Sequence, residues 1–127
     1  MTHQYDDRNH DPPAPILPVS IRRPTEDGML VVAVALVDTG ADMTCLPQEL
    51  INPLGAHPVS SYSVHGVADA ELGMVDSYFL RLELGEYHVS TEVLALGNQP
   101  ILGRDVLNGL MLELDGPRRK VTLRASA

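Results

Sequence analysis

At 127 residues the chain has room for one hydrophobic core and not for two domains. Its apolar fraction is 44%, but aromatics are only 4% and tryptophan is absent, which points to an aliphatic, β-rich core. Nine basic against seventeen acidic residues, a net charge of -8, argue against a nucleic-acid partner; the single cysteine, Cys45, excludes an internal disulfide; and no apolar stretch approaches a membrane span, so a cytoplasmic protein is expected.

Residues 1–15 are polar and then proline-rich, ending Asp11-Pro12-Pro13-Ala14-Pro15, and read as a disordered tail ahead of a folded domain at 16–127. His3 and His10 lie there without a third ligand at metal spacing, so neither a metal nor another cofactor is expected. Leu17, Val19 and Ile21 alternate with Pro18, Ser20 and Arg22 in the period of a half-buried strand, and Asp27-Gly28 marks a hairpin turn. The returning run 30–37 is almost wholly aliphatic and reads as a strand buried on both faces, delivering Asp38 at its end.

Met43-Thr44-Cys45-Leu46 reads as a short strand, Pro47-Gln48-Glu49-Leu50 as a turn or single helical turn, and Asn52-Pro53-Leu54-Gly55 as a break. Between 59 and 84 two strands meet at Gly66-Val67-Ala68-Asp69, a long hairpin whose second arm alternates Leu80, Leu82 and Leu84 with Arg81 and Glu83. Residues 86–96 alternate again, 97–100 form a loop, and 104–109 carry a short helix with Val106, Leu107 and Leu110 inward. A final hairpin turns at Asp115-Gly116.

Chemistry concentrates in two blocks, Ala35-Leu36-Val37-Asp38-Thr39-Gly40-Ala41-Asp42 and Pro100-Ile101-Leu102-Gly103-Arg104-Asp105-Val106-Leu107. Elsewhere there is no glycine-rich phosphate loop, Cys/His cluster or Gly-x-Ser-x-Gly elbow, and the serines at 60, 61 and 63 near His57 and His65 lack an identifiable orienting acid. In this order the two blocks resemble those of the retropepsins, the retroviral-type aspartic proteases, with the likeness running from about residue 16 to about 114.

That resemblance implies an all-β, closed barrel-like fold with one short helix, and an aspartic endopeptidase that hydrolyses peptide bonds through two carboxylates sharing one proton. Asp-Thr-Gly occurs once here, with no second Asp-Thr-Gly or Asp-Ser-Gly, so the partner carboxylate is expected from a second copy in a twofold homodimer. By the same resemblance Asp38, Thr39 and Gly40 are catalytic, and Ala41 and Asp42 line the cleft. Val64, Gly66 and Val67 cover a peptide or protein substrate from a hairpin flap, and Ile101 forms part of a side-chain pocket. Gly103 and Arg104 support the loop, with Arg104 the internal partner of Asp42. Asp105 reads equally as an ordinary helix N-terminal residue. Chain-end strands at 16–21 and 121–123 are expected in the dimer interface. His65, Ala68 and Asp69 depart from the glycine-richer flap of the family. The alternative is therefore a catalytically weak or inactive dimer of this fold serving as a peptide-binding or regulatory module.

Overall fold

A computed structural model describes residues 1–25, 28–65 and 71–124. The strands in chain order are β1 (Thr2–Gln4), β2 (Ile16–Arg22), β3 (Val31–Val37), β4 (Cys45–Leu46), β5 (Ser60–His65), β6 (Glu71–Leu84), β7 (Tyr87–Ala95), β8 (Ile101–Leu102), β9 (Met111–Asp115) and β10 (Lys120–Arg124). Two single-turn helices accompany them, α1 (Gln48–Ile51) after Pro47 and α2 (Arg104–Leu107) in the second block. No described helix is long and apolar enough to cross a membrane.

Six strands close on themselves in the order β2-β3-β8-β4-β7-β6, because β6 pairs back onto β2 through Ser20↔Glu83 and Ile21↔Leu82. Closure sets Arg22 directly opposite Arg81, and Glu83 offsets this like-charge contact by taking both guanidinium groups, at 3.2 and 3.1 Å. Alternation fills the interior: Leu17, Val19 and Ile21 from β2 meet Leu80, Leu82 and Leu84 from β6, with Ala35 and Val37 from β3 and Leu102 from β8. β5 pairs with the outer part of β6, so the hairpin expected between 59 and 84 is present. Its tip, with Gly66 and Val67, lies outside the described residues, as does part of the first hairpin turn.

Three expectations change. The strand before Asp38 is buried on one face only: Ala35 and Val37 point into the barrel, while Val32 and Val34 are 64% and 53% exposed. In a single-layered closed sheet, period-2 alternation sends every second side chain outward whatever its chemistry. Residues 1–15 are not a loose tail. β1 pairs with β10 (Thr2↔Thr122, His3↔Val121), and Asp6 and Ala14 exchange backbone hydrogen bonds that close a loop over 6–14. The Asp6 carboxylate fills that loop, accepting from the Arg8 and Asn9 N–H groups, the Asn9 amide and His10. These bonds supply the ordering that proline-rich composition does not suggest.

The expected interface strands are also not edges. β2 is flanked by β3 and β6, and β10 lies between β1 and β9 in a separate three-stranded sheet ordered β1-β10-β9. Among the described residues β9 has a neighbour on one side only, and it carries the exposed Met111 and Leu114.

Candidate active site

Asp38 directly continues the barrel wall. β3 and β8 run parallel (Leu36↔Ile101, Val37↔Leu102), and the Asp38 N–H donates to the Leu102 carbonyl at 3.1 Å. The chain then turns sharply. Ala41 N–H reaches the Asp38 carbonyl at 3.2 Å, and Gly40 N–H donates to Asp38 Oδ1 at 2.9 Å. A Cβ at position 40 would stand 3.2 Å from that same oxygen, so glycine lets the backbone approach the carboxylate it orients.

The second block closes on this loop from behind. Arg104 N–H donates to the Ala41 carbonyl at 2.9 Å, and its guanidinium donates to the Thr39 carbonyl at 2.6 Å and to the Asp42 carboxylate. Gly103 permits the approach: a Cβ there would lie 2.6 Å from the Met43 carbonyl carbon and 3.0 Å from the Ala41 oxygen. Asp38, Thr39, Gly40, Ala41, Asp42, Gly103 and Arg104 are thus one connected unit. Ile101 adjoins it on β8, half-buried, paired with Leu36 on one side and Cys45 on the other. Val64 stands apart on β5, the outermost strand, and Gly66 and Val67 are not described.

Arg104 and Asp42 are partners as expected, but not internal ones, since their side chains are 44% and 84% exposed. Water therefore screens the pair. Arg104→Lys, which keeps the charge and loses the planar fork, is expected to lower protomer stability by less than about 1 kcal/mol in a denaturant melt.

The buried fastening lies one residue beyond Arg104 and two beyond Asp42, where sequence reasoning did not place it. Thr44 is fully buried; its N–H and hydroxyl donate to the two oxygens of Asp105 at 3.0 and 2.8 Å, and its Oγ1 accepts from Gly103 N–H at 3.0 Å. Asp105 also accepts from Val106 N–H at 2.9 Å within the first turn of α2, so it ties α2 to the chain leaving the Asp38 loop. A threonine within the apolar stretch 43–46 was the available signal, since a buried hydroxyl calls for a partner.

Cys45 sits next to this fastening. Burial, then the nearby charges of Asp105 and Asp38, push its thiol above the ordinary range. Each cause disfavours the thiolate, so alkylation by iodoacetamide near neutral pH is expected to run several-fold slower on the folded protein than on the unfolded chain.

At the base of the hairpin, the Tyr62 hydroxyl donates to Glu92 at 2.8 Å and the buried Ser77 hydroxyl donates to the same carboxylate oxygen. The Ser77 bond and then the Tyr62 bond hold the Glu92 carboxyl below the usual range, and the Glu92 bond pushes the Tyr62 phenol up. β5, β6 and β7 are therefore fastened together by an ionised carboxylate.

A carboxylate presented on a glycine turn, braced by a guanidinium from the start of a helix, agrees with the comparisons with known proteins. The family model described as retroviral aspartyl protease matches residues 12–115, and the chain belongs to that family. Among solved structures it is similar to EIAV protease complexed with the inhibitor HBY-793, at 25% identity and TM-score 0.51, covering 75% of this chain and 86% of that one. It is also similar in fold to the simian foamy virus (mac) protease, at 22% identity and TM-score 0.54 over 74% of this chain and 92% of that one. A retropepsin-like aspartic protease from Rickettsia conorii covers 90% of this chain and 95% of its own length, at 18% identity and TM-score 0.50. A search of curated protein sequences gives no match.

Proposed function

We propose that the chain is an aspartic endopeptidase, active as a homodimer in which the Asp38 carboxylates of two copies meet at a twofold axis. One observation carries the reading: a single Asp-Thr-Gly loop whose carboxylate accepts Gly40 N–H and whose backbone is held by β8 and Arg104. In the proposed reaction one carboxylate takes a proton from water as the water oxygen bonds to the peptide carbonyl carbon, and the other gives its proton to the carbonyl oxygen. Collapse of the resulting diol breaks the C–N bond, with a proton delivered to the amine. Thr39 braces the loop across the axis, Gly40, Ala41 and Asp42 line the cleft, Ile101 walls a pocket, and Val64, Gly66 and Val67 cover the peptide. A reducing cytoplasm goes with this reading, the chain holding one unpaired thiol.

For the assembly we assign β9, not the strands at 16–21 and 121–123, as the contact between copies. An edge strand with exposed apolar side chains is a template for strand pairing, and twofold pairing of β9 with its equivalent would join two three-stranded sheets. The side chains of Leu112 and Leu114 share a groove with Val37, Thr39 and Leu107, so this contact is continuous with the Asp38 loop.

Cleavage of a peptide library, followed alongside sedimentation, tests the function. Activity is expected to fall on dilution below the dimer dissociation constant. Leu114→Glu is expected to raise the concentration for half-maximal activity by about tenfold or more. A fully active monomer would overturn the homodimer, and an active dimer indifferent to Leu114→Glu would overturn the assignment of β9.

A further inference from the structure

A cavity of about 500 Å³ lies between the N-terminal loop over 6–14 and the turn that leads into Pro100-Ile101. Its apolar lining is Ile16, Val34 and Pro100, and its polar lining comes from Asp6, Asn9 and His10 on one side and Asn98 and Gln99 on the other. Asp6, Asn9 and His10 precede the segment 12–115 that matches the family, so three of the five polar lining residues lie outside the matched segment.

Several donors in this wall are already committed. Asn9 Nδ2 donates to Asp6 at 3.2 Å, and Gln99 Nε2 donates to His10 Nε2 at 3.0 Å, which leaves His10 Nδ1 to donate to Asp6, also at 3.0 Å. The amide oxygens of Asn9 and Gln99 accept no hydrogen bond among the described residues. The Arg8 N–H and then the His10 bond hold the Asp6 carboxyl below its ordinary range, so it carries its charge at neutral pH. The cavity thus offers an apolar floor, spare carbonyl acceptors and one fixed negative charge, in a protein of net charge -8.

Val34 lies on β3 and Asp38 four residues further along the chain, just past the end of that strand, so Val34 stands about 13 Å from Asp38 along the chain direction. An extended peptide covers that distance in about four residues. Resting on the endopeptidase reading above, we propose that this cavity is a substrate subsite for a basic side chain, arginine or lysine, about four residues from the cleaved bond. The aliphatic stem lies on Ile16, Val34 and Pro100, and the cationic head meets the carbonyl oxygens and the field of Asp6. Twofold symmetry places one such subsite on each side of the cleaved bond.

The probes are labelled twelve-residue peptides of alanine and leucine in which one arginine is moved position by position, with norleucine and glutamate versions of each. Wild-type cleavage is measured together with binding to Asp38→Asn, so the subsite is tested even if no peptide is cut. An arginine about four residues from the cut is expected to improve kcat/KM by about tenfold through KM, and binding to Asp38→Asn by a similar factor. Lysine is expected to follow arginine, norleucine to lose most of the gain, and glutamate to fall below it. Asp6→Asn and Val34→Arg, the latter filling an exposed part of the cavity with its own guanidinium, are expected to remove the preference while leaving cleavage of the parent peptide of alanine and leucine alone unchanged. Binding that prefers arginine at this distance, without any cleavage, would overturn the protease reading and keep the subsite. Absence of an arginine preference in both measurements, or a preference that survives both variants, would overturn the subsite.

Discussion

Asp38→Asn is expected to abolish peptide cleavage, lowering turnover by roughly 10⁴-fold, the upper end of what positioned acid–base groups contribute. In the proposed homodimer the substitution would remove the shared proton and the base from both halves of the site at once. It leaves the local structure a route to survive, because an asparagine carbonyl can still accept the Gly40 N–H that now reaches Asp38 Oδ1 at 2.9 Å. Unchanged thermal melting and retained peptide binding should accompany the loss. This separates a protease from a module that binds without cutting: wild-type turnover in Asp38→Asn would remove Asp38 from the chemistry, whereas a wild type that binds and never cuts would favour the regulatory module.

Asp105→Ala should lower stability by about 3 kcal/mol, a fall in melting temperature of roughly 10 °C for a domain of this size. Three donors lose their acceptor together: Thr44 N–H, the Thr44 hydroxyl and Val106 N–H. Thr44 is fully buried, so its N–H and hydroxyl have no water to turn to, and unsatisfied buried donors are the expensive kind. Asp105→Asn keeps one carbonyl acceptor and should fall between the two. Comparison with Arg104→Lys makes the point sharper, since neighbouring residues of one block should differ several-fold in effect, the conspicuous charge mattering less than the quiet one. Equal melting curves for Asp105→Ala and wild type would show that the Gly103 approach and the Arg104 bonds to Ala41 and Thr39 hold the α2 connection without it.

Contiguous chemistry was the legible part of this chain. Asp38 to Asp42 and Ile101 to Asp105 lie in two short runs, and the structure joins them through Ala41, Thr39 and Arg104. Alternation likewise revealed β2, β6 and β7, because their period-2 pattern is written in neighbouring residues. What was hidden depends on partners distant in the chain. β1 is ordered by β10, more than a hundred residues away, and a proline-rich composition says nothing of such a partner. The outward face of β3 was misread because aliphatic runs look alike whether one face or two are covered; Val32 and Val34 differ from Ala35 and Val37 only in what the closed sheet places against them. Thr44 and Asp105 form a long-range pair that becomes evident only when both blocks are folded.

The open side of β9 has a consequence for how the protein behaves as a material. A lone protomer presents backbone donors and acceptors beside Met111 and Leu114, and such a strand accepts any extended chain that reaches it, including misfolded copies that stack without closing. Glu113 and Asp115 interrupt the apolar residues along this strand, a gatekeeping pattern that makes in-register stacking repulsive while leaving a twofold pair free to form. Dimerisation would then act as a shield against precipitation. Dilute stocks, in which protomers are separated, should be the ones that lose protein to aggregates and vessel walls.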